Sequence, residues 1–284
     1  MERKMFFIDL DGTTLRDDKT IPQENIDAIR EALDMGHYVA IATGRSLISS
    51  QTHIDRLGMA REGCFLVAYN GALIYDLGGG TVLSKQLFPD EYARYLFAEA
   101  EKYQLYMQAY SETGVLTRQQ CPEIEYYVRI SNTGYHIVPD LYHLETYHTP
   151  KVLLLSLDDH AALEKFQRDH QDWADGKCTS YFSCPEYLEY CRPDSSKGSG
   201  IRFFEDYLGI AHENTVAIGD EENDLPMITM AGIGAVMKNA GENIRRHADY
   251  ITEKDNNEGG VAEVIRKCIA GEISCPSGFS KGDL

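Results

Sequence analysis

Four clusters of residues in this chain have the types and spacings that chemistry on an anion requires. The first is Asp9-Leu10-Asp11-Gly12-Thr13, with two carboxylates at i and i+2 and a glycine that permits a sharp turn. Acids this close repel each other, so the pair calls for a cation or a shared proton. The second is Thr43-Gly44-Arg45, where a hydroxyl, an open glycine N–H and a guanidinium fork can all hold an anion. The third is Gly219-Asp220-Glu221-Glu222-Asn223-Asp224. Its acids exceed what a helix N-terminus needs. Hard oxygen ligands of this kind suit Mg²⁺, held by one or two carboxylates with waters and phosphate oxygens. The fourth is Lys197, in Ser195-Ser196-Lys197-Gly198-Ser199-Gly200. Small residues, exposed N–H groups and an ammonium ahead of a helix make an anion site. It is not a Walker A loop, because G-x-x-x-x-G-K-[ST] does not occur. Each cluster alone also reads as ordinary structure: a strand-end cap, a strand–helix turn, a charged helix start, an exposed loop lysine.

The elements around these clusters give them a common place. Lys4–Leu10 is a short apolar run ending in acids, which predicts a buried strand. Ile21–Gly36 has Pro22 near its start, apolar residues at helical spacing and a glycine stop, which predicts a helix. Tyr38–Thr43 and Phe65–Tyr69 are further continuous apolar strands, with a helix over Ser46–Leu57 between them. Asn70-Gly71 predicts a turn into a strand at Ala72–Tyr75. After Lys197 the alternation resumes: helix Ser199–Leu208, strand Thr215–Gly219, helix Glu222–Met230, strand Gly234–Met237 and helix Val261–Ile269. Continuous apolar strands separated by helices imply a parallel sheet covered on both faces. Three of the four clusters end such strands, where open α/β sheets bind ligands. Together they describe a metal-and-phosphate site.

The middle of the chain is different, being rich in Tyr and His. It predicts a helix at Glu91–Tyr103, strands near Leu105–Tyr110, Val115–Arg118 and Lys151–Leu157, a helix at Ala161–His170, and strands at Cys178–Ser183 and Tyr187–Cys191. This is a second α+β unit inserted in the first. The expected division is a discontinuous core over residues 1–83 and 192–271, a cap over 84–191, and a loose tail over 272–284. Tyr126, Tyr127, Tyr135, His136, Tyr142, His143, Tyr147 and His148 could line a sugar or heteroaromatic pocket, or simply stack within the cap.

Composition narrows the function. The chain has 284 residues and a net charge of -18, so its surface repels phosphate backbones and anionic membranes. No apolar run reaches the ~18 residues of a membrane span, and the apolar start is shorter than the ~7–15 residues of a signal peptide's core. The seven cysteines are odd in number and form no C-x-x-C pair. They read as reduced cytoplasmic thiols rather than as a disulfide framework or zinc ribbon.

The ordered set DLDGT, ATGR, SSKG and GDEEND resembles the haloacid dehalogenase-like phosphohydrolases. Tyr69-Asn70-Gly71-Ala72, Met237-Lys238-Asn239-Ala240 and Glu258-Gly259-Gly260-Val261 are similar to signatures of the Cof-type branch. The resemblance spans about residues 4–270, and Thr14 and Pro193-Asp194-Ser195-Ser196 depart from the usual pattern. It implies a Rossmann-like core with an inserted cap of type C2. It implies Asp9 as nucleophile, Asp11 as general acid/base, and phosphate contacts from Thr43, Gly44, Lys197 and Asn223. Arg45 and Asn70 would lie near the substrate entrance. Mg²⁺ would be held among Asp9, Asp11, Asp220 and Asp224, with Asp224 supporting the metal shell or orienting Lys197. The implied activity is a Mg²⁺-dependent phosphatase of small metabolites, sugar phosphates first. The alternatives are a phosphomutase using the same aspartyl-phosphate, or a weakly active ligand-binding regulator.

Overall fold

The computed structural model describes residues 2–111, 113–141 and 148–276. Its contacts divide the chain into two compact units. One comprises residues up to Gly44, Gln51–Leu83 and the chain from Ser196 on; the other comprises Arg45–Ser50 and Ser84–Ser195.

In chain order the first stretch runs β1 (Met5–Asp9), α1 (Gln23–Asp34), β2 (Tyr38–Ala42), α2 (Leu47–Leu57), β3 (Cys64–Ala68), β4 (Leu73–Asp76) and β5 (Thr81–Lys85). The inserted stretch carries α3 (Asp90–Lys102), β6 (Tyr106–Ser111), β7 (Gly114–Thr117), α4 (Pro122–Ser131), β8 (Tyr135–Ile137), β9 (Val152–Leu155), α5 (His160–Asp169), α6 (Gln171–Ala174), β10 (Thr179–Cys184) and β11 (Tyr187–Cys191). The chain then returns with α7 (Ser199–Leu208), β12 (Thr215–Gly219), α8 (Leu225–Met230), β13 (Ile233–Val236), α9 (Glu242–Arg245), β14 (Tyr250–Ile251) and α10 (Gly260–Ala270).

The first unit is built on a sheet in the order β14-β13-β12-β1-β2-β3-β4-β5. The strands from β14 to β3 pair in parallel, as their unbroken apolar sequences predict, and β4 turns back antiparallel to β3. Every residue of β1, β3 and β12 is buried, so both faces must be covered. Met5 and Phe7 of β1 join Phe65, Val67, Ile201 and Phe204 on one face, with the Phe65 and Phe204 rings 4.5 Å apart. On the neighbouring strand positions, Phe6 and Ile8 are equally buried. α1 packs against α10, and buried Asn25 of α1 links them by accepting from the Ala262 N–H at 3.0 Å.

The second unit carries a mixed sheet, β10-β11-β9-β6-β7-β8. One face is apolar: Met107, Ala109, Val152, Leu154 and Leu188 pack with Leu96 and Phe97 of α3 and Phe166 of α5. The alternate positions mix Leu153 and Leu155 with buried polar groups. Lys151 donates to Glu189 at 2.5 Å, and Gln108 donates to Tyr110, which donates to Tyr127. Among the described residues no helix is long and apolar enough to cross a membrane.

Several elements were not foreseen. β8, β14, α6 and α9 are too short to show a period. β5 is an exposed edge with no apolar alternation. α4 begins at Pro122, which is favourable in a first helical turn, but lies in a Tyr-rich stretch that hid its periodicity. The expected helix at Glu222–Met230 is a tighter 3₁₀ turn over Glu222–Asp224 followed by α8.

Candidate active site

The nucleophile candidate sits where β1 ends. Residues Leu10–Thr14 form one wide turn, closed by the Leu15 N–H donating to the Leu10 carbonyl at 2.9 Å. Gly12 makes that turn possible. Its φ is +78°, and a Cβ there would lie 2.2 Å from Asp220 Oδ2. The departure at Thr14 has a structural role: the buried hydroxyl donates to the Asp9 main-chain carbonyl at 2.6 Å.

Asp9, Lys197, Asp220 and Asp224 come together from three distant segments. The Lys197 ammonium is 1% exposed and donates to Asp9 Oδ1 and Asp224 Oδ1, both at 2.6 Å. The other Asp224 oxygen accepts from the backbone N–H groups of Asp220 and Glu221 at 2.9 and 3.1 Å. Asp220 Oδ1 accepts from the Thr13 hydroxyl at 2.7 Å. One oxygen each from Asp9, Asp220 and Asp224 lies within 4.8 Å of the others.

Burial and mutual repulsion dominate the electrostatics. Burial first, and then the Asp224 carboxylate, push Asp9 up from 3.8 to about 8, against the pull of Lys197. Burial, Asp9 and Asp224 likewise hold Asp220 well above the usual carboxylate range. For Lys197 burial opposes the charge, but Asp224 and Asp9 outweigh it and keep the ammonium firmly protonated. Were all three carboxylates to ionise together, they and the one ammonium would carry two unbalanced negative charges in a buried space. One divalent cation would balance them, and all the donor atoms are hard oxygens. The residues therefore fit Mg²⁺.

Asp11 stands apart from this group. Its carboxylate pairs with Lys19 at 3.0 Å and is 40% exposed, while the three carboxylates that come within reach of one another are those of Asp9, Asp220 and Asp224. On a continuing strand i and i+2 would share a face, but the chain breaks into the turn directly after Asp9 and the two carboxylates separate.

Thr43 follows β2 and is buried; its N–H donates to the Val67 carbonyl and its carbonyl accepts from the Asn70 N–H. Tyr69 and Asn70 both adopt left-handed φ, +50° and +53°, an uncommon conformation for side chains of this size. Asn70 Oδ1 accepts from Asn223 Nδ2 at 3.2 Å, so these two expected phosphate-side residues share one network. Gly44 ends the first unit's N-terminal segment, whereas Arg45 groups with the second unit. In the cap, Tyr127, Tyr135 and His136 bond to Tyr110, Glu125 and Thr113. Tyr142, His143 and Tyr147 lie outside the described residues.

Comparison with known proteins decides the family: a model described as haloacid dehalogenase-like hydrolase matches residues 6–265. The chain belongs to this family. It is a phosphoric monoester hydrolase of the haloacid dehalogenase-like type. A Streptococcus pyogenes protein that carries a phosphatase name is 31% identical over 272 residues, covering 95% of this chain and 99% of its own. A Bacillus subtilis 5-amino-6-(5-phospho-D-ribitylamino)uracil phosphatase is 31% identical, covering 94% of this chain and 96% of its own. The crystal structure of a haloacid dehalogenase-like hydrolase from Bacteroides thetaiotaomicron superposes with a TM-score of 0.84 at 27% identity, covering 94% of this chain and all of the other.

Gly12→Ala tests how tightly this hydrolase's turn is built. The added methyl must displace the Asp220 carboxylate, so phosphate release is expected to fall ~10²-fold or more. Unchanged kinetics in this variant would show that the turn tolerates a side chain.

Proposed function

We propose that this hydrolase removes phosphate from small phosphorylated metabolites, sugar phosphates first among them, through an aspartyl-phosphate on Asp9 and with Mg²⁺. One observation carries the reading: three buried carboxylates, Asp9, Asp220 and Asp224, converge at the ends of parallel strands, and the buried ammonium of Lys197 joins Asp9 to Asp224.

Asp9 and Asp220 would hold the metal, with Asp224 acting mainly by fixing Lys197. When bound, Mg²⁺ supplies positive charge that offsets the repulsion between Asp9 and the incoming phosphate. Asp9, once ionised, needs no general base to attack phosphorus. Its oxygen forms the new P–O bond as the ester P–O bond breaks. Asp11 donates a proton to the departing oxygen, then takes one from the water that attacks the aspartyl-phosphate. That second attack releases inorganic phosphate and restores Asp9. Lys197, Thr43, Gly44, Asn70 and Asn223 would take up charge on the phosphate oxygens.

The substrate class draws on the relatives. Two Bacillus subtilis phosphatases, 31% and 28% identical, are named for 5-amino-6-(5-phospho-D-ribitylamino)uracil, a phosphorylated sugar alcohol on a pyrimidine. The seven free cysteines suit the reducing compartment where such metabolites occur.

The test is phosphate release from a panel of small phosphomonoesters, with Mg²⁺ and with excess chelator. Release is expected only with Mg²⁺, and full activity in chelator would overturn the metal assignment. Asp11→Asn separates the acid role from simple damage. It is expected to lose ~10²–10⁴-fold on sugar phosphates, whose alkoxide leaves poorly, and much less on nitrophenyl phosphate. Equal losses on both would count against Asp11 as the acid.

A further inference from the structure

Asn239 belongs to a sequence signature that the mechanism above leaves without work. It follows β13, in Met237-Lys238-Asn239-Ala240. The backbone around it is pinned on two sides. The Met237 N–H donates to the Gly219 carbonyl, one residue before Asp220, at 3.0 Å, and the Lys238 N–H donates to Thr252 Oγ1 at 2.9 Å. The Arg245 guanidinium caps the Lys238 carbonyl.

From this fixed base the Asn239 carboxamide uses both ends. Nδ2 donates to the Gly12 carbonyl at 2.9 Å and lies 3.5 Å from Asp220 Oδ2. Oδ1 accepts from the Asn256 N–H at 3.2 Å. Asn256 in turn donates to the Leu15 carbonyl and to Asp17, both at 3.0 Å, on the far side of the same turn. The wide turn from Leu10 to Leu15 is therefore held at two points, and the first of them faces Asp220.

We propose that Asn239 is a positioning residue that clamps the Asp9–Gly12 turn against Asp220 and thereby sets the affinity of the site for Mg²⁺. This rests on the metal-dependent reading above. The physical reason is that Asp9 and Asp220, both buried and mutually repelling, separate unless their loops are tied to each other. Thr13 makes one such tie through its hydroxyl; Asn239 makes the other through the Gly12 carbonyl. Groups that orient metal-holding carboxylates change affinity by roughly 10–100-fold when removed. Asn239 is itself exposed, so its loss leaves no cavity and little cost to folding.

The experiment is calorimetric titration of Mg²⁺ into the full-length protein without substrate, for wild type, Asn239→Ala, Asn239→Asp and the neighbouring control Lys238→Ala. Asn239→Ala is expected to weaken Mg²⁺ binding ~10-fold or more, with a melting temperature within ~2 °C of wild type in the absence of metal. Asn239→Asp keeps the shape but cannot donate to Gly12 and adds a negative charge beside Asp220, so it separates the two effects. If the tie to Gly12 is what matters, Asp binds no better than Ala, and tighter binding by Asp than by wild type overturns the clamp. Lys238→Ala is expected to bind as wild type does. At saturating Mg²⁺ kcat should recover in Asn239→Ala. Wild-type Mg²⁺ affinity in Asn239→Ala overturns the proposal, as does a lowered kcat with affinity intact. The underlying metal-dependent reading fails separately, by wild type releasing phosphate in chelator.

Discussion

Asp9→Asn is expected to reduce phosphate release on the order of 10⁴–10⁶-fold, since it replaces the attacking carboxylate with a poorly nucleophilic carboxamide and weakens one of the two groups that would hold the metal. The same variant should be more stable than wild type without metal. Burial and Asp224 raise Asp9 from 3.8 to about 8 in the folded protein. Between those values the folded state holds a proton that the unfolded state has lost, so wild-type stability falls as pH rises from about 4 to about 8. Asparagine carries no charge to bury and can still accept from Lys197. The gain should therefore be near zero at pH 4 and grow to several kcal/mol by pH 8, or at least about 5 °C in melting temperature. Mg²⁺ should narrow the difference by stabilising wild type alone. A melting temperature for Asp9→Asn below that of metal-free wild type at pH 8 would contradict this account. So would turnover within 100-fold of wild type.

Lys197→Met is expected to cost both activity and fold. It leaves Asp9 and Asp224 facing each other in a buried space with no cation between them. Breaking a buried ion pair from one side costs ~3–5 kcal/mol, here roughly a 10 °C loss in melting temperature. Phosphate release should fall ~10³-fold or more, since the ammonium also takes up charge on the transferring phosphate. Adding Asp9→Asn to Lys197→Met should recover part of the lost stability, because one of the stranded charges is then gone. That recovery should exceed the gain Asp9→Asn gives on its own; strictly additive changes in the double variant would mean that the ion pair does not couple these residues.

The strand ends were legible because continuous apolar runs stop at polar clusters, and Asp9, Thr43 and Asp220 each sit at such a stop. The parallel sheet was legible for the same reason, and the β3–β4 hairpin from Asn70-Gly71. What periodicity could not show was which distant segments meet. Lys197 looked like a loop lysine and lies 188 residues from Asp9; only the resemblance tied it to the site. Thr14 departed from pattern, yet its hydroxyl holds the Asp9 carbonyl, a contact made by backbone geometry that no side-chain pattern encodes. The outward pairing of Asp11 with Lys19 depends on how the turn unwinds after Asp9, which spacing alone does not determine. Asn239 was marked only by the resemblance, and nothing local showed its task, because its partners lie 227, 19 and 17 residues away.

The sheet order has a consequence for how the protein is made. β1 lies between β2 and β12, and Met5 pairs with Thr215, about 210 residues downstream. At ~5–20 residues per second, the ribosome delivers β12 roughly 10–40 s after β1. Throughout that interval the strand Met5–Asp9 has one open edge and an unfinished apolar surface, a setting that favours pairing with other chains. The inserted unit, contiguous from Ser84 to Ser195, can condense during this wait. Synthesis should therefore be most vulnerable to aggregation before Thr215–Gly219 emerges, and a chaperone that shields the N-terminal strands should raise the yield more than one acting on the finished chain.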